Sequence, residues 1–285
     1  MISELIEIIQ GDALVDLKKM ESQSVDLIIA DPPYNLGKDY GNNHDLKGFQ
    51  EYLEFSLAWL QEAHRLLKST GTLYVFMGVR FISYLYEILD RQLGMDFNSW
   101  ITWHYTQGMG KTKGFSPRHD DILMFTKSAQ FTFHLDAVRV PQKYYRLRNN
   151  MRGANPGDVW QFSHVHYCHE NRQKHPTQKP EGLIARMVSA SLAEGDFVLD
   201  LFSGSGTTLR VCQQLHRRCL GVELNPAYVE MTRARLKQPF QGFDSIDPRM
   251  ERVPKDLHES KMRDAYLQNH LQWFLKNHHG VKEKL

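Results

Sequence analysis

Residues 197–210 read FVLDLFSGSGTTLR, and the fold turns on them. The run from Phe197 to Phe202 is short, apolar and bounded by turn residues, which marks a buried strand. Ser203-Gly204-Ser205-Gly206 then makes a Gly-x-Gly turn, and residues 206–216 read as a helix. A strand passing through such a turn into a helix lets a nucleotide-like ligand approach the backbone closely. Leu209 stands where the dinucleotide fingerprint has its third glycine, which counts against a nicotinamide oxidoreductase. Residues 220–223 form a further strand ending on Glu223, near the ~20-residue spacing at which an acid meets ribose hydroxyls. A tight βα turn with a capping acid is the plainer reading of the same segment.

A second stretch, IIADPPYNLG at residues 28–37, raises the matching question far upstream. The strand over 25–30 stops abruptly at Asp31, where Pro32 and Pro33 cannot donate to a ladder and hold the chain extended. Asp31 and Tyr34 are thereby fixed at a rim. In open α/β sheets, ligands bind outside the carboxyl ends of strands at the point where strand order reverses. Asp31, Asp200 and Glu223 all follow expected strand ends, so the fold rule sets them along one edge.

The rest of the chain alternates in the same way. Strands are expected at 6–9, 73–77, 100–105 and 122–125, and helices at 48–68 (ended by Gly71), 81–93 and 180–192, the last with Pro180 in its first turn. In the first of these helices the apolar positions Phe49, Tyr52, Leu53, Leu57, Leu60, Ala63 and Leu67 make one buried face. A helix over 226–236 is started by Asn225 as cap and Pro226 at its first position. The expectation is an α/β fold with a mainly parallel, twisted sheet and helices on both faces. Residues 106–174 have weaker periodicity and read as a loop-rich insertion within a 1–240 domain, while 241–285 reads as a helical tail.

With 285 residues and 41% hydrophobic content the chain can build one good core. Its apolar runs are far too short to span a membrane, and the N-terminus lacks the basic start of a secretory signal. Cys168, Cys212 and Cys219 form no CxxC pair, which points to a reducing, cytoplasmic setting. His164, His166, Cys168 and His169 tempt a zinc reading, but they lack the second ligand pair, and alternation on a strand face fits as well; no metal is expected.

Taken together, DPPY (31–34), DLFSGSGTT (200–208), HPTQKP (175–180), GVELNPAYVEM (221–231) and GDAL (11–14) resemble the amino-directed DNA methyltransferases that use S-adenosylmethionine. The order, catalytic motif first and cofactor loop last, is that of the circularly permuted β-class, and the resemblance covers most of residues 5–237. It implies a Rossmann-like methyltransferase fold with a target-recognition insertion. It also implies that Asp31, Pro32, Pro33 and Tyr34 are catalytic, with the Asp31 carboxylate and Pro32 carbonyl holding a target amine and Tyr34 stacking a flipped base. Asp200, Phe202, Ser203, Gly204, Ser205, Gly206 and Thr207 shape the methionine side of the cofactor pocket. Glu223, with Asn225 beside it, meets the ribose, Asp12 and Ala13 meet the adenine, Asp31 also borders the cofactor, and Thr177 and Lys179 close the pocket near the cofactor carboxylate. Asp at the first motif position marks adenine N6 and Ser marks cytosine N4, so adenine is the expected target and cytosine the alternative.

A DNA substrate needs a grip. Lys143, Tyr144, Tyr145, Arg146, Arg148 and Arg152 lie in a run, 139–157, without a single acid, and Lys111, Lys113 and Arg118 lie in a second basic, glycine-rich segment. His119-Asp120 departs from the family's His-Glu, and the polar stretch 35–48 is placed to close over a flipped base. A homodimer is a fair expectation of the class, a restriction partner is left open, and a DNA-binding module without turnover is the rival from another class.

Overall fold

The computed structural model describes residues 5–40, 46–106, 108, 110–140, 153–165 and 172–243. In chain order the elements are β1 (Ile6–Gln10), α1 (Ala13–Asp16), β2 (Val25–Ala30), α2 (Phe49–Leu66), β3 (Leu67–Met77), α3 (Ile82–Glu87), β4 (Asp96–His104), β5 (His119–Thr126), α4 (Leu135–Val138), β6 (Val159–Gln161), α5 (Glu181–Ser191), β7 (Phe197–Asp200), α6 (Thr207–Gln214), β8 (Arg218–Glu223) and α7 (Pro226–Leu236). They form one eight-stranded sheet in the order β1-β8-β7-β2-β3-β5-β4-β6. All neighbours pair in parallel except β5, which runs against both β3 and β4.

The order fixes the site. From β2 the chain crosses through α2 to β3 on one side; from β7 it crosses through α6 to β8 on the other. Because such crossovers are right-handed, α2 and α6 lie on opposite faces, and strand order reverses between β2 and β7. Ile29 pairs with Asp200, so Asp31 follows two residues beyond a residue level with Asp200. Both faces are covered, and accordingly β2 is buried at every position except a half-buried Asp26, and β3 is buried from Gly71 to Met77. Asp26 is matched by Lys68 Nζ at 2.8 Å and by the backbone N–H of Phe197 at 3.1 Å, which ties the starts of β3 and β7 to β2.

Several local expectations shift. Gly71 does not end α2; the helix stops at Leu66 because Leu67 already turns extended, and Gly71 lies inside β3. A Cβ on Gly71 would stand 2.8 Å from Leu67 Cδ2 and 3.1 Å from the Asp26 carbonyl, so the glycine serves close packing at the irregular start of β3. The buried stripe of α2 is Tyr52, Ser56, Trp59, Leu60, Ala63 and Leu66, and Phe49 is left exposed. Residues 81–93 are an α-helix only to Glu87 and then widen into a π-turn over Ile88–Gln92. Pro180 precedes α5 as its cap, in extended geometry, rather than sitting within the first turn. The strand of the opening motif ends at Asp200, and Leu201-Phe202 bend away. Within 106–174, β5 and β6 are sheet strands, so the segments outside the sheet are the connections around them. His164 falls beyond the end of β6, while His166, Cys168 and His169 lie outside the described residues.

Candidate active site at the strand ends

A cavity of about 550 Å³ opens at the carboxyl ends of β1, β8, β7 and β2. From the first turn come Gly11, Asp12 and Ala13; Asp12 caps α1 by accepting from the Leu14 N–H at 2.9 Å. The Gly11 N–H donates to the Glu223 carbonyl at 3.0 Å, which joins this turn to the end of β8. Phe202, Ser203, Gly204, Ser205 and Thr207 form the floor. Gly206 does not line the cavity; it makes the turn, with φ of +73°, as the cap of α6. Its neighbour Gly204 has φ of +49°, and a Cβ there would stand 2.8 Å from His175 Nε2.

Both carboxylate oxygens of Glu223 hold a backbone N–H. One carboxylate oxygen accepts from the Gly204 N–H at 2.8 Å and the other from the Asn225 N–H at 2.7 Å. Burial pushes its pKa up, against the pull of these N–H donors. Each oxygen keeps a second lone pair, the acceptor capacity that vicinal hydroxyls need. Asn225 caps α7 through the Ala227 N–H at 2.9 Å and donates from Nδ2 to the Tyr40 carbonyl at 2.7 Å. Asp200 accepts from the Phe202 N–H at 3.1 Å; burial pushes its pKa up to about 7, with Asp31 and Glu223 adding to the rise.

At the other wall stands the DPPY corner. Pro33 is clamped from α2, where the Tyr52 hydroxyl donates to its carbonyl at 2.6 Å. Asn35, at φ of +57°, grips the backbone of Lys47 with both ends of its amide, at 3.0 and 2.6 Å. Pro32 is buried. Tyr34 is 8% exposed, and its hydroxyl is buried without a partner among the described residues. Its ring is covered, so the open stacking face expected of it is not what the structure presents. Burial, then the charge of Asp31, holds the Tyr34 phenol well above its usual range and therefore neutral. Thr177 and Lys179 reach the cavity from the segment before α5. Lys179 Nζ meets Asp31 Oδ2 at 2.5 Å, directed at the corner carboxylate.

The antiparallel β5 extends the edge beyond Asp31. Met77 pairs with Asp121, so Asp120 lies past the end of β3, beside the corner. The Tyr105 hydroxyl approaches Asp120 Oδ1 at 3.4 Å, and the Tyr105 ring packs on His164 with centroids 3.9 Å apart. Burial raises Asp120, with Asp31 adding and Lys179 opposing. Burial, then Lys179, brings His164 down to about 4, so it is neutral. Along the chain Tyr105 carries no signal, Asp120 stands out only beside His119 and His164 only in the zinc reading; the pairing of β4 with β5 brings Tyr105 and Asp120 together at the corner. Tyr40, His175 and Tyr228 fall within the stretches 35–48, 175–180 and 221–231, where the motifs assign them no role; they line the cofactor-side cavity, with the His175 and Tyr228 rings 4.6 Å apart. The polar stretch after the corner leans toward that cavity as well, since Tyr40, Leu46 and Lys47 line it.

Of the basic residues, Lys111 and Lys113 are exposed, and Arg118 is half-buried with its guanidinium donating to the Pro117 carbonyl at 2.9 Å. They lie in the β4–β5 connection, whose neck is closed by the Tyr105 N–H on the Arg118 carbonyl at 2.9 Å. Phe115 projects from the same loop, 99% exposed. Lys143, Tyr144, Tyr145, Arg146, Arg148 and Arg152 lie outside the described residues. Among the described residues no group of three His, Cys, Asp or Glu is placed to hold a metal ion, and no helix is long and apolar enough to cross a membrane.

An open α/β sheet with a glycine loop, a strand-ending acid and a proline-fixed carboxylate at its switch point is a Rossmann-like methyltransferase. The chain belongs to the N6/N4 DNA methylase family, whose model matches residues 25–234. The type II methyltransferase M.HpaI of Haemophilus parainfluenzae is 60% identical over 278 residues, spanning 97% of this chain and 88% of its own. The DNA adenine methyltransferase YhdJ of Escherichia coli K12 is 36% identical, covering 82% of this chain and 83% of its own. Among solved structures, the M1.HpyAVI–SAM complex superposes with a TM-score of 0.57 at 25% identity, covering 81% of this chain and all of that one.

Proposed function

We propose that this protein methylates the N6 amine of adenine at a specific site in duplex DNA, with S-adenosylmethionine as donor. The observation that carries the reading is that Asp31 and the Gly204–Glu223 loop line one cavity. The name of the 36% identical adenine methyltransferase and the Asp at the first motif position support adenine over cytosine.

S-adenosylmethionine, when bound, supplies an electrophilic methyl group. The residues present suit it: Glu223 offers acceptors for a ribose, Asp200 an acid that ionises near neutrality for the amino-acid end, and Asp12 with Ala13 a wall for the purine. The chain's own task is the amine. Its lone pair is delocalised into the ring, so acceptors on its hydrogens, Asp31 and the Pro32 carbonyl, make it pyramidal and nucleophilic. The proton is lost after transfer, when the nitrogen is cationic, so Asp31 serves as an acceptor and need not be a strong base. The base must leave the helix to reach this corner. Tyr105, His164 and Asp120 stand beside the corner the base would enter, and the basic loop around Lys111 and Lys113 faces the duplex. Residues 106–174 outside β5 and β6 supply target recognition, and a homodimer fits the class.

The test is transfer of tritiated methyl from S-adenosylmethionine to unmethylated duplex DNA, followed by nucleoside analysis. N6-methyladenine is expected from the parent and almost none from Asp31→Ala. N4-methylcytosine as the product, or equal signal from both proteins, would sink the assignment.

A further inference from the structure

Lys179 has both of its ends fixed. At the tip, Nζ pairs with Asp31 Oδ2 at 2.5 Å while lying 5.3 Å from the Tyr34 ring centroid and 5.1 Å from that of Phe76. At the backbone, its carbonyl accepts from Thr207 Oγ1 at 3.1 Å. Thr207 Oγ1 in turn accepts from Arg235 Nη1 at 3.0 Å, and Arg235 Nη2 is held by Glu181 at 2.7 Å. The lysine is 8% exposed, so its ammonium stays where these contacts put it.

The consequence falls on Asp31. One carboxylate oxygen is occupied by the ammonium; the other, Oδ1, is buried and has no hydrogen-bond partner among the described residues. The groups facing Asp31 are Lys179 from the segment before α5, Tyr34 from its own turn, Asp120 from β5 and Asp200 from β7. Lys179 is the cation of that set, and its hold on Oδ2 fixes the direction in which the carboxylate presents Oδ1.

We propose that Lys179 is a positioning residue for the transfer: by holding Oδ2 of Asp31 it turns Oδ1 toward the amine to be methylated. This rests on the methyltransferase reading above and assigns the ammonium to the acceptor side of the site instead of the cofactor carboxylate.

Lys179→Met, Lys179→Arg and the parent are compared in three measurements. At saturating S-adenosylmethionine, the single-turnover rate of K179M is expected to fall on the order of a hundredfold, as for a misplaced reacting group. K179R, which keeps a donor for Oδ2, should recover a large part of it. Calorimetric affinity of K179M for S-adenosylmethionine should stay within about threefold of the parent, far less than a tenfold, 1.4 kcal/mol change. A thermal-unfolding double-mutant cycle with Asp31→Asn reads the pair without turnover and should show coupling. Loss of cofactor affinity with an unchanged saturated rate, or absence of coupling in the cycle, overturns the proposal. A parent that methylates cytosine, or nothing, overturns the functional reading instead, and the affinity and coupling arms still judge Lys179.

Discussion

Glu223 at the end of β8 and Gly204 in the glycine loop are joined by a 2.8 Å hydrogen bond across 19 residues of sequence. The bond runs from a backbone N–H to a carboxylate, and the same carboxylate takes the Asn225 N–H at 2.7 Å. One acid therefore sets the height of the loop and the start of α7 together. In Glu223→Gln only one of the two atoms can accept, and the amide nitrogen is forced against an N–H. Stability should drop by about 1–3 kcal/mol, the cost of an unsatisfied buried polar group. Thermal unfolding reads this loss, and calorimetry should show weaker binding of S-adenosylmethionine.

Asp200 gives a pH dependence with a defined sign. Burial pushes it up to about 7, so it is neutral in acid and ionised in base. An ionised carboxylate attracts the cationic end of the cofactor, so affinity should rise with pH through about 7, by at most about tenfold per unit. Asp200→Asn should flatten the curve. Folding stability moves the other way: between about 3.8 and 7 the folded chain keeps a proton that the unfolded chain releases. The destabilisation Asp200 contributes above pH 7 thus fades toward pH 4. An affinity curve of equal slope in parent and D200N would contradict this assignment.

Arg235 and Glu181 form an ion pair at 2.7 Å, with both residues less than 5% exposed. Arg235 also donates to the Ser205 carbonyl at 2.9 Å, so it supports the loop from beneath. Arg235→Met takes the guanidinium away from a buried carboxylate, which costs about 3–5 kcal/mol. Denaturant unfolding should show that loss, with weakened cofactor binding at temperatures where the variant is folded.

Gly206→Ala is expected to be worse than an ordinary surface change. The backbone has φ of +73°, and the new Cβ would stand 2.4 Å from Thr232 Cγ2, on a residue with no exposure. Left-handed geometry for alanine costs about 1–2 kcal/mol and overpacking about 1–3 more. A melting temperature equal to the parent's would show that α7 shifts freely away from the loop.

Lys111 and Lys113 are exposed in the β4–β5 connection, on the edge that carries Asp31. Replacing both by Ala should weaken DNA binding regardless of sequence and lower the slope of log affinity against log salt by about 2. Fluorescence anisotropy across a salt series measures it. Cofactor affinity, read in parallel, should be unchanged, since neither lysine lines the cavity.

Much of this site is local chemistry and is legible along the chain. Asp31 is fixed because two prolines follow a strand, and Gly204 and Gly206 are fixed because the turn needs positive φ. The strand over Val25–Ala30 and the helix over Pro226–Leu236 follow directly from apolar runs and from Asn225-Pro226 as a start signal. Gly71 misleads because a glycine after a helix reads as its stop, whereas here it permits close packing inside β3.

What the sequence determined by itself was the set of strand ends and the residues placed on them, since φ restriction, missing donors and apolar periodicity act within a few residues. Tertiary structure decided which ends are neighbours and which side chains meet. The reversed β5 brings Asp120 and Tyr105 to the corner, though nothing near them in the chain announces it. Lys179 and Asp31 are 148 residues apart, and their contact exists because α5 leads into β7, the strand that pairs with β2. Pairings of that range depend on sheet order and on the packing of opposite faces, which no short window of sequence contains.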